Sequence, residues 1–292
     1  MKNLDLTIFP PIPNDEWKQL AERQLKGANP DEELSWKNEA GIELKGYYDA
    51  SDLEPLRYLA DFFTTLPSHR WKLYEEVSVR ETKFANQQVL KALMGGCDGV
   101  ILKVSNVVEL EEATSDVNIA ICDICTISDE ALSTKYFSGF QIMPNGNCFR
   151  AKDVENPIDQ ISEVISGLLD HSYIYRHALS DFFLEIAAVR ALRFLLNQRG
   201  SNANIHTHVP LHHSKDHQWF LNTTAGLASI LGGSHSIDFS TAIGDSRISR
   251  NTGNLIREES GIEEYKDQCG GSYYIEVLTD KIIKGVEEKL RQ

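Results

Sequence analysis

Hydrophobic and polar residues follow an alternating order of two patterns from about residue 68 onward. Short apolar runs typical of buried strands are followed by segments whose apolar residues recur every three or four positions, as on one helix face. Strands are predicted near residues 72, 100, 118, 138, 174, 205 and 236, with a further candidate near 273. Helices are predicted over Ala85–Met94, from Asn156 and Pro157 onward, over Asp181–Asn197 and over Asp216–Leu231. About eight strands alternating with helices favour an α/β fold, a (β/α)8 TIM-type barrel, over a doubly wound sheet.

Two glycine pairs mark the ends of predicted helices. Gly95 and Gly96 follow one helix, Gly232 and Gly233 follow another, and each pair leads within three residues into a strand. This shared order is expected of repeated α/β units. A phosphate-binding loop needs the opposite order, from strand to helix, so neither pair predicts a phosphate site.

The N-terminal segment has a different pattern. Pro10, Pro11 and Pro13 precede a short amphipathic stretch, Asp15–Lys26, that ends at Gly27. We interpret residues 1–67 as an extended N-terminal arm and lead-in, and residues 68–292 as the barrel.

The charge balance restricts the partners. The chain has 43 acidic and 29 basic side chains, a net charge of −14, which disfavours nucleic acids and anionic membrane surfaces. No apolar stretch reaches the roughly 18 residues of a membrane span, and the N-terminus lacks the apolar core of a signal peptide. We therefore expect a cytoplasmic protein.

The cysteines form an odd and scattered set, which is typical of reduced thiols: Cys97, Cys122, Cys125, Cys148 and Cys269. The CDIC motif lies within VNIAICDICTIS, an alternating run that predicts a strand. Buried structural thiols are therefore favoured over a redox or zinc site.

Histidines are concentrated around one predicted strand. His206 and His208 are two residues apart and so share a face, and His212, His213 and His217 follow closely. Five histidines could indicate a metal site, but no cysteine lies nearby and only one acidic residue does. A solvated loop at the barrel mouth is favoured, and no metal site is predicted.

The segment DSRISRNTGNLIREES predicts a helix with an inner stripe of Ile248, Thr252, Leu255 and Ile256. Its polar residues are consistent with a salt-bridged surface. Arg250 and Asn251, near the helix start, could instead bind phosphate or amide groups of a ligand, and both interpretations remain open.

Several motifs in fixed order resemble methylmalonyl-CoA mutases. RISRNTGNLIREESGI and DQCGGSYYIEVLTDKI are similar to the end of the family's barrel domain, which reads RIARNTQ, EESGI and D-x-x-GGS-x-x-x-E-x-LT. LSDFFLEIAAVRALRFLL resembles a helix of the family's small subunits, and ANQQVLKALMGGCDGVILKV resembles the first α/β unit. WKQLAERQLKGANPDEELSWKNEAGIELKGYY resembles the N-terminal arm. The resemblance covers nearly the whole chain and implies a barrel of the small, non-catalytic subunit type.

Three departures from the catalytic subunits bear on activity. A PWTIRQYAG-like motif there supplies an Arg that contacts CoA and a Tyr that lines the radical site, whereas RWKLYEEVS places Tyr74 and Glu76 at those positions. SGYHMQEAG supplies a His that hydrogen-bonds the thioester carbonyl, and SGFQIMPNG places Gln141 there, which cannot act as an imidazolium. Gly253 replaces the Gln of RNTQ.

The resemblance therefore predicts no catalytic residue for the rearrangement in this chain. The candidates for substrate or CoA contacts at the barrel mouth are Tyr74, Gln141, His206, His208, Arg250 and Asn251.

The resemblance also implies adenosylcobalamin as the family cofactor, carried on a C-terminal domain with a D-x-H-x-x-G motif. No such motif occurs before the chain ends at Gln292, so we expect no cobalamin domain and no cobalamin binding by this chain alone. The expected partner is a catalytic mutase chain in a heterodimer, and an acyl-CoA is a further candidate ligand.

Two alternatives remain. The first is a stand-alone acyl-CoA-binding or isomerase barrel that uses a cobalamin domain supplied by another chain. The second is a metal-dependent barrel hydrolase using His206 and His208, which predicts bound zinc.

Overall fold

A computed structural model describes residues 12–62, 70–79, 84–129, 139–142, 146–167, 171–210, 218–240 and 246–292. His212, His213 and His217 lie outside these residues. The described part of the N-terminal segment contains three α-helices, α1 (Asn14–Gln24), α2 (Pro30–Glu33) and α3 (Leu59–Phe62), and a short 3-10 helix (Ala50–Asp52). It also contains an antiparallel pair of strands, β1 (Trp36–Lys37) and β2 (Glu43–Leu44).

The central sheet has eight strands in the described part of the chain. They are β3 (Lys72–Ser78), β4 (Gly99–Lys103), β5 (Asp123–Ile127), β6 (Gln141–Ile142), β7 (Cys148–Arg150), β8 (Tyr173–His177), β9 (Asn204–Val209) and β10 (Ser236–Phe239). Their order is β6-β5-β4-β3-β10-β9-β8-β7, and every hydrogen-bonded pair is parallel. Since β6 and β7 also contact each other, the sheet forms a nearly closed barrel.

Helices cover the outside of this barrel. They are α4 (Ala85–Met94), α5 (Val107–Ala113), α6 (Pro157–Gly167), α7 (Phe182–Gln198), α8 (Gln218–Gly232), α9 (Ser246–Glu259) and α10 (Tyr273–Arg291). The predicted α/β, TIM-type (β/α)8 barrel is confirmed.

Alternation along the strands separates an inner and an outer layer. On β3, Leu73 and Val77 belong to an apolar cluster beneath the helices, whereas Tyr74 packs with Ile101 and Phe140 in a separate interior cluster. Successive side chains of a strand point to opposite faces, so the odd-numbered residues of β3 face the helices and the even-numbered ones face the interior.

The strand predicted near residue 273 was wrong, because this segment is the helix α10. Its buried residues recur at helical spacing from Ile275 through Leu278 and Ile282 to Val286. The YYIEV run has the composition of a strand, but the apolar pattern that follows it has the period of a helix.

Two other strand predictions need correction. The strand predicted near 118 begins only at Asp123, because Asn118 forms a turn in which its side chain accepts the Ala120 N–H, 3.1 Å away, and Ile121 is exposed. The eighth strand is instead β7, whose three residues are too few for a recognisable period. The helix beginning at Pro157 is confirmed, and Asn156 Oδ1 accepts the Ile158 N–H at 2.9 Å.

The predicted inner stripe of α9 was also wrong in part. Leu255 is 60% exposed, and Ile256 is the only member of that stripe among the residues buried in this helix. The buried residues are Ser249, Arg250, Gly253 and Ile256.

The N-terminal segment packs on the chain's own barrel. Leu44 and Phe62 are buried in the same apolar cluster as residues of α6, α7 and α10, and Tyr48 meets Tyr274 edge to face with ring centroids 5.7 Å apart. The five cysteines, all within the described residues, form no disulfides; Cys122 precedes β5 in the turn, and Cys125 is buried within β5. None of the helices in the described ranges is long and apolar enough to cross a bilayer.

Candidate functional site in the barrel interior

The interior of the barrel is unusually polar on one side. The register places Ser236 opposite His206 and Asp238 opposite His208 on β10 and β9, and Tyr175 of β8 lies opposite His206. These five positions all alternate with outward-facing residues, so their side chains converge in the interior.

A continuous hydrogen-bonded series links two histidines through one carboxylate. His206 Nε2 donates to Asp238 Oδ1 at 2.8 Å, and His208 Nδ1 donates to the two oxygens of Asp238 at 3.0 and 2.9 Å. Since an ionised carboxylate only accepts, these partners fix the proton positions on both rings. The remaining nitrogens accept from serines: Ser236 Oγ lies 2.9 Å from His206 Nδ1, and Ser240 Oγ lies 2.8 Å from His208 Nε2.

The two histidines differ in their proton affinity. Burial lowers the pKa of His208, but the charge of Asp238 and its hydrogen bond outweigh burial and leave that pKa raised above its ordinary value. For His206 burial dominates and lowers the pKa. Burial alone would raise the pKa of Asp238, yet the charge of His208 and the bonds from both rings hold it well below its usual range. His208 is therefore the base of this series.

Aromatic rings fill the rest of the interior. Tyr74 stacks on His206 with centroids 5.6 Å apart and planes 17° apart, and Phe140 lies 4.8 Å from the same histidine ring. Tyr175 stacks on His208 at 5.8 Å. The Tyr74 hydroxyl donates to Asp123 Oδ2 at 2.7 Å, and burial raises its pKa. Tyr74 thus acts as a neutral packing group in this arrangement.

One group of side chains among the described residues could bring three ligand atoms together around a cation. Ligand atoms of Glu76, His208 and Asp238 all lie within 4.8 Å of one another. However, Glu76 Oε1 accepts from Lys103 Nζ at 2.7 Å, and both nitrogens of His208 already have partners. These contacts favour an internal hydrogen-bonded network over a metal site, and the zinc hydrolase alternative gains no support from them.

Gln141 does not point toward these side chains. Its register partner is Thr126, which alternates with the interior residue Cys125, so Gln141 lies on the outer side of β6. Phe140 and Ile142 are the neighbouring residues that belong to the interior cluster. The register therefore places Gln141 on the outer face of the barrel, not at the mouth where it was predicted.

Helix α9 places the remaining candidates outside the barrel. Arg250 Nη1 donates to Glu75, an outward-facing residue of β3, and Asn251 is exposed on the helix surface. A Cβ atom on Gly253 would lie 2.6 Å from Leu73 Cδ1. This packing corrects the mouth positions predicted for Arg250 and Asn251, and it places Gly253, which replaces the Gln of RNTQ, against Leu73 of β3.

The motif residues that carry the resemblance form a buried ion network in the helical layer. Arg190 donates to Asp267 at 2.7 and 2.9 Å and to Glu276 at 2.8 and 2.9 Å. The Gly271 N–H also donates to Glu276, at 3.0 Å, and the Arg190 guanidinium lies 4.2 Å from the ring centroid of Phe62. The D-x-x-GGS-x-x-x-E spacing therefore joins α10, the loop before it, α7 and the N-terminal segment.

Comparisons with known proteins agree with these motifs. A sequence profile described as methylmalonyl-CoA mutase matches residues 172–292, which contain β8, β9, β10 and the network around Arg190. Over 94% of the chain, the sequence is 23% identical to the methylmalonyl-CoA mutase small subunit of Porphyromonas gingivalis, of which the alignment covers 61%. The C-terminal part of the chain, residues 172–292, thus matches the methylmalonyl-CoA mutase family.

Other relatives in this mutase family match shorter parts of the chain. Identity is 34% over 134 residues to the methylmalonyl-CoA mutase of Escherichia coli, covering 38% of this chain and 19% of that protein. Identity is 35% over 125 residues to a probable mitochondrial methylmalonyl-CoA mutase of Caenorhabditis elegans, covering 35% of this chain and 17% of that protein. These matches thus span less than a fifth of those two relatives. By contrast, the alignment with the Porphyromonas gingivalis small subunit extends over nearly the whole chain.

The family implies adenosylcobalamin, but the described interior does not fit this cofactor. Neither His206 nor His208 has a ring nitrogen without a partner, and Phe140 and His206 are fully buried among stacked rings. No histidine of this group is free to ligate a cobalt ion, and no chemical step through the cofactor is assigned to these residues.

Proposed function

We propose that this protein is the non-catalytic small-subunit partner of a catalytic methylmalonyl-CoA mutase chain in the cytoplasm. The pair would carry out the adenosylcobalamin-dependent interconversion of methylmalonyl-CoA and succinyl-CoA, with the cofactor and substrate held by the catalytic chain. The small subunit contributes a folded docking partner.

The filled interior is the observation that carries this proposal. The resemblance expects a CoA-contacting Arg and a radical-site Tyr on the first barrel strand, where this chain has Tyr74 and Glu76. Tyr74 is 4% exposed and stacked on His206, and Glu76 is paired with Lys103. Side chains that are closely packed and mutually paired leave a barrel suited to support another chain.

The N-terminal segment offers a surface for the catalytic chain. A groove of about 600 Å³ is lined by aromatic residues of this segment and of the start of α10: Trp36, Tyr47, Tyr48, Tyr273 and Tyr274. Trp36 is 48% exposed, and exposed aromatic side chains are enriched at the centres of protein interfaces.

Co-expression with a catalytic mutase chain tests the proposal. A stable heterodimer on size-exclusion chromatography is expected, with mutase activity that requires the catalytic chain. Trp36→Ala should weaken the heterodimer by about tenfold or more, whereas Trp219→Ala, which removes a Trp that is 40% exposed on α8, serves as the matched control.

A lone chain with no affinity for any catalytic mutase chain contradicts the proposal. Binding of adenosylcobalamin and a CoA ester by a mixture of this chain and a separate cobalamin-domain chain also contradicts it, and instead supports the stand-alone isomerase alternative.

A further inference from the structure

Three residues at one end of the barrel have the contacts of an activated nucleophile. Ser240 Oγ lies 2.8 Å from His208 Nε2, and His208 Nδ1 lies 2.9 Å from Asp238 Oδ2. A serine hydroxyl bonded to one ring nitrogen, with a carboxylate on the other, is the arrangement by which histidine removes the serine proton. Both distances lie within the 2.6–3.2 Å that this relay requires.

The place of these residues in the fold suits a reaction. Ser240 directly follows β10, and His208 is the fifth of the six residues of β9, so both lie at the carboxyl ends of parallel strands. In a barrel of this kind, ligands are met at that end. The His208 side chain is 11% exposed and Ser240 is half-buried, so the nucleophile is on the open side of the relay.

The second histidine of the interior provides an internal contrast. His206 also bonds a serine and Asp238, but its side chain is fully buried and its partner Ser236 is 4% exposed. Packing alone is sufficient to explain Ser236. Packing does not explain why the same contacts recur between Ser240 and His208 at the open end of the barrel, where the histidine has a raised pKa.

We propose that Ser240, His208 and Asp238 form a nucleophilic triad that hydrolyses a small acyl ester or thioester, an activity separate from the mutase rearrangement. The Ser240 oxygen attacks the acyl carbon as His208 Nε2 takes the hydroxyl proton. The carbon–sulfur or carbon–oxygen bond of the substrate then breaks, and His208 returns the proton to the leaving thiolate or alkoxide. Water, deprotonated by the same nitrogen, releases the carboxylic acid and restores Ser240. Asp238 positions His208.

Two cations lie on the same side of the interior. Lys103 pairs with Glu76, whose carboxylate is within 4.8 Å of the His208 and Asp238 ligand atoms, and the Arg150 guanidinium lies 5.5 Å from the centroid of Tyr175. Lys103 neutralises the Glu76 carboxylate, whose charge would otherwise oppose a tetrahedral oxyanion on this side. Arg150 favours an acyl group that carries a second carboxylate, such as a malonyl group.

Covalent labelling of the full chain is the primary test. A fluorophosphonate probe should modify Ser240, identified by mass spectrometry of the peptide that contains it, and Ser240→Ala should remove the label. Ser180→Ala is the matched control, because Ser180 is an exposed serine after β8 whose hydroxyl bonds Glu155. A label at Ser240 that persists in Ser180→Ala supports the triad, and absence of any label at Ser240 overturns it.

Turnover provides the second measurement, with p-nitrophenyl acetate as the ester and acetyl-CoA and malonyl-CoA as thioesters. Only the choice of CoA thioesters rests on the proposed function, and p-nitrophenyl acetate does not. Ser240→Ala should lower kcat at least a thousandfold. Asp238→Asn should lower kcat with KM unchanged, which a loss of packing alone would not produce, while circular dichroism confirms folding.

The remaining outcomes separate the parts of the proposal. Arg150→Met should raise KM for malonyl-CoA about tenfold and leave acetyl-CoA unchanged, and equal effects on both overturn the anionic substrate class. Equal rates in Ser240→Ala and the unaltered chain overturn the activity. Heterodimer formation is measured independently of labelling and turnover. A negative result for the triad therefore does not count against the proposed subunit role.

Discussion

Buried charge is handled differently in the helical layer and in the barrel interior. In the helical layer, Arg190 is bonded to both Asp267 and Glu276, and each carboxylate meets a guanidinium that stays protonated. In the interior, the single carboxylate of Asp238 accepts from two imidazoles, His206 and His208. Of the two, His208 has the raised pKa and is the ring that can gain or lose a proton near neutral pH. The outer network therefore has one charge state, whereas the inner one changes its charge when His208 gains or loses a proton.

The difference separates structural residues from candidate chemical ones. The outer network joins residues 77 and 86 positions apart in the chain, so it fixes how α7, α10 and the loop before α10 meet. Its members belong to the motifs by which the family is recognised. The inner series lies at the open end of the strands and includes a hydroxyl that is half-buried. The motifs by which the family is recognised are therefore residues that hold the helical layer together, and they do not indicate which chemistry the barrel interior supports.

Removal of Arg190 should have the largest effect. Arg190→Met leaves Asp267 and Glu276 buried without their cation, and breaking a buried ion pair in this way costs about 3–5 kcal/mol. The free energy of unfolding from urea titration measures this loss. Lys289→Met is the control, because the Lys289–Asp159 pair is half exposed and surface pairs contribute about 0–1 kcal/mol. Equal losses in the two variants would show that the network is not structural.

Acid should destabilise the protein through a histidine of the outer layer. Burial, followed by the charge of Arg193, lowers the pKa of His235 to about 3, and the ring accepts the Ile205 N–H at 2.9 Å. A histidine with a lowered folded pKa contributes stability above its unfolded value near 6.5, and that stability is lost as pH falls toward 3. The slope contribution is up to about 1.4 kcal/mol per pH unit.

His235→Gln should flatten this acid dependence, as measured by urea unfolding between pH 7 and pH 4. His208→Gln should behave with the opposite sign, because the raised pKa of His208 gives stability that is present below pH 6.5 and lost as pH rises through the folded value. Its deficit should therefore shrink as pH rises. An unchanged slope in His235→Gln would refute the assigned cause.

The barrel could be predicted from sequence because its signals are local. Leu73 and Val77 alternate with Tyr74 on one strand, and the helix after Asn156 has a cap and a leading proline. The partners of the candidate site could not be predicted, because they depend on register between strands. His206 and His208 were placed on one face, but nothing in the sequence indicates that Asp238 would lie between them.

Errors at α9 have the same physical origin. Helical spacing gives the relative positions of Arg250 and Asn251 but not which face meets the barrel, and Glu75, the partner of Arg250, lies 175 residues away in the chain. Gly253, which follows Arg250 and Asn251 in α9, is the signal that could have identified the face in contact with the barrel. A helix that packs closely on a strand needs a small residue at the contact.

The contact between Gly253 of α9 and Leu73 of β3 gives the smallest predicted effect. Gly253→Gln would introduce the family residue where a Cβ atom lies 2.6 Å from Leu73 Cδ1, and Leu73 is fully buried. Overpacking of this kind costs about 1–3 kcal/mol, which the better helix propensity of glutamine offsets only in part. Asn251→Gln adds the same side chain two positions earlier on an exposed face and should change stability by less than about 0.5 kcal/mol. Urea unfolding that shows Gly253→Gln to be as stable as Asn251→Gln would mean that α9 can move away from β3, and the residue at position 253 would then not be fixed by packing.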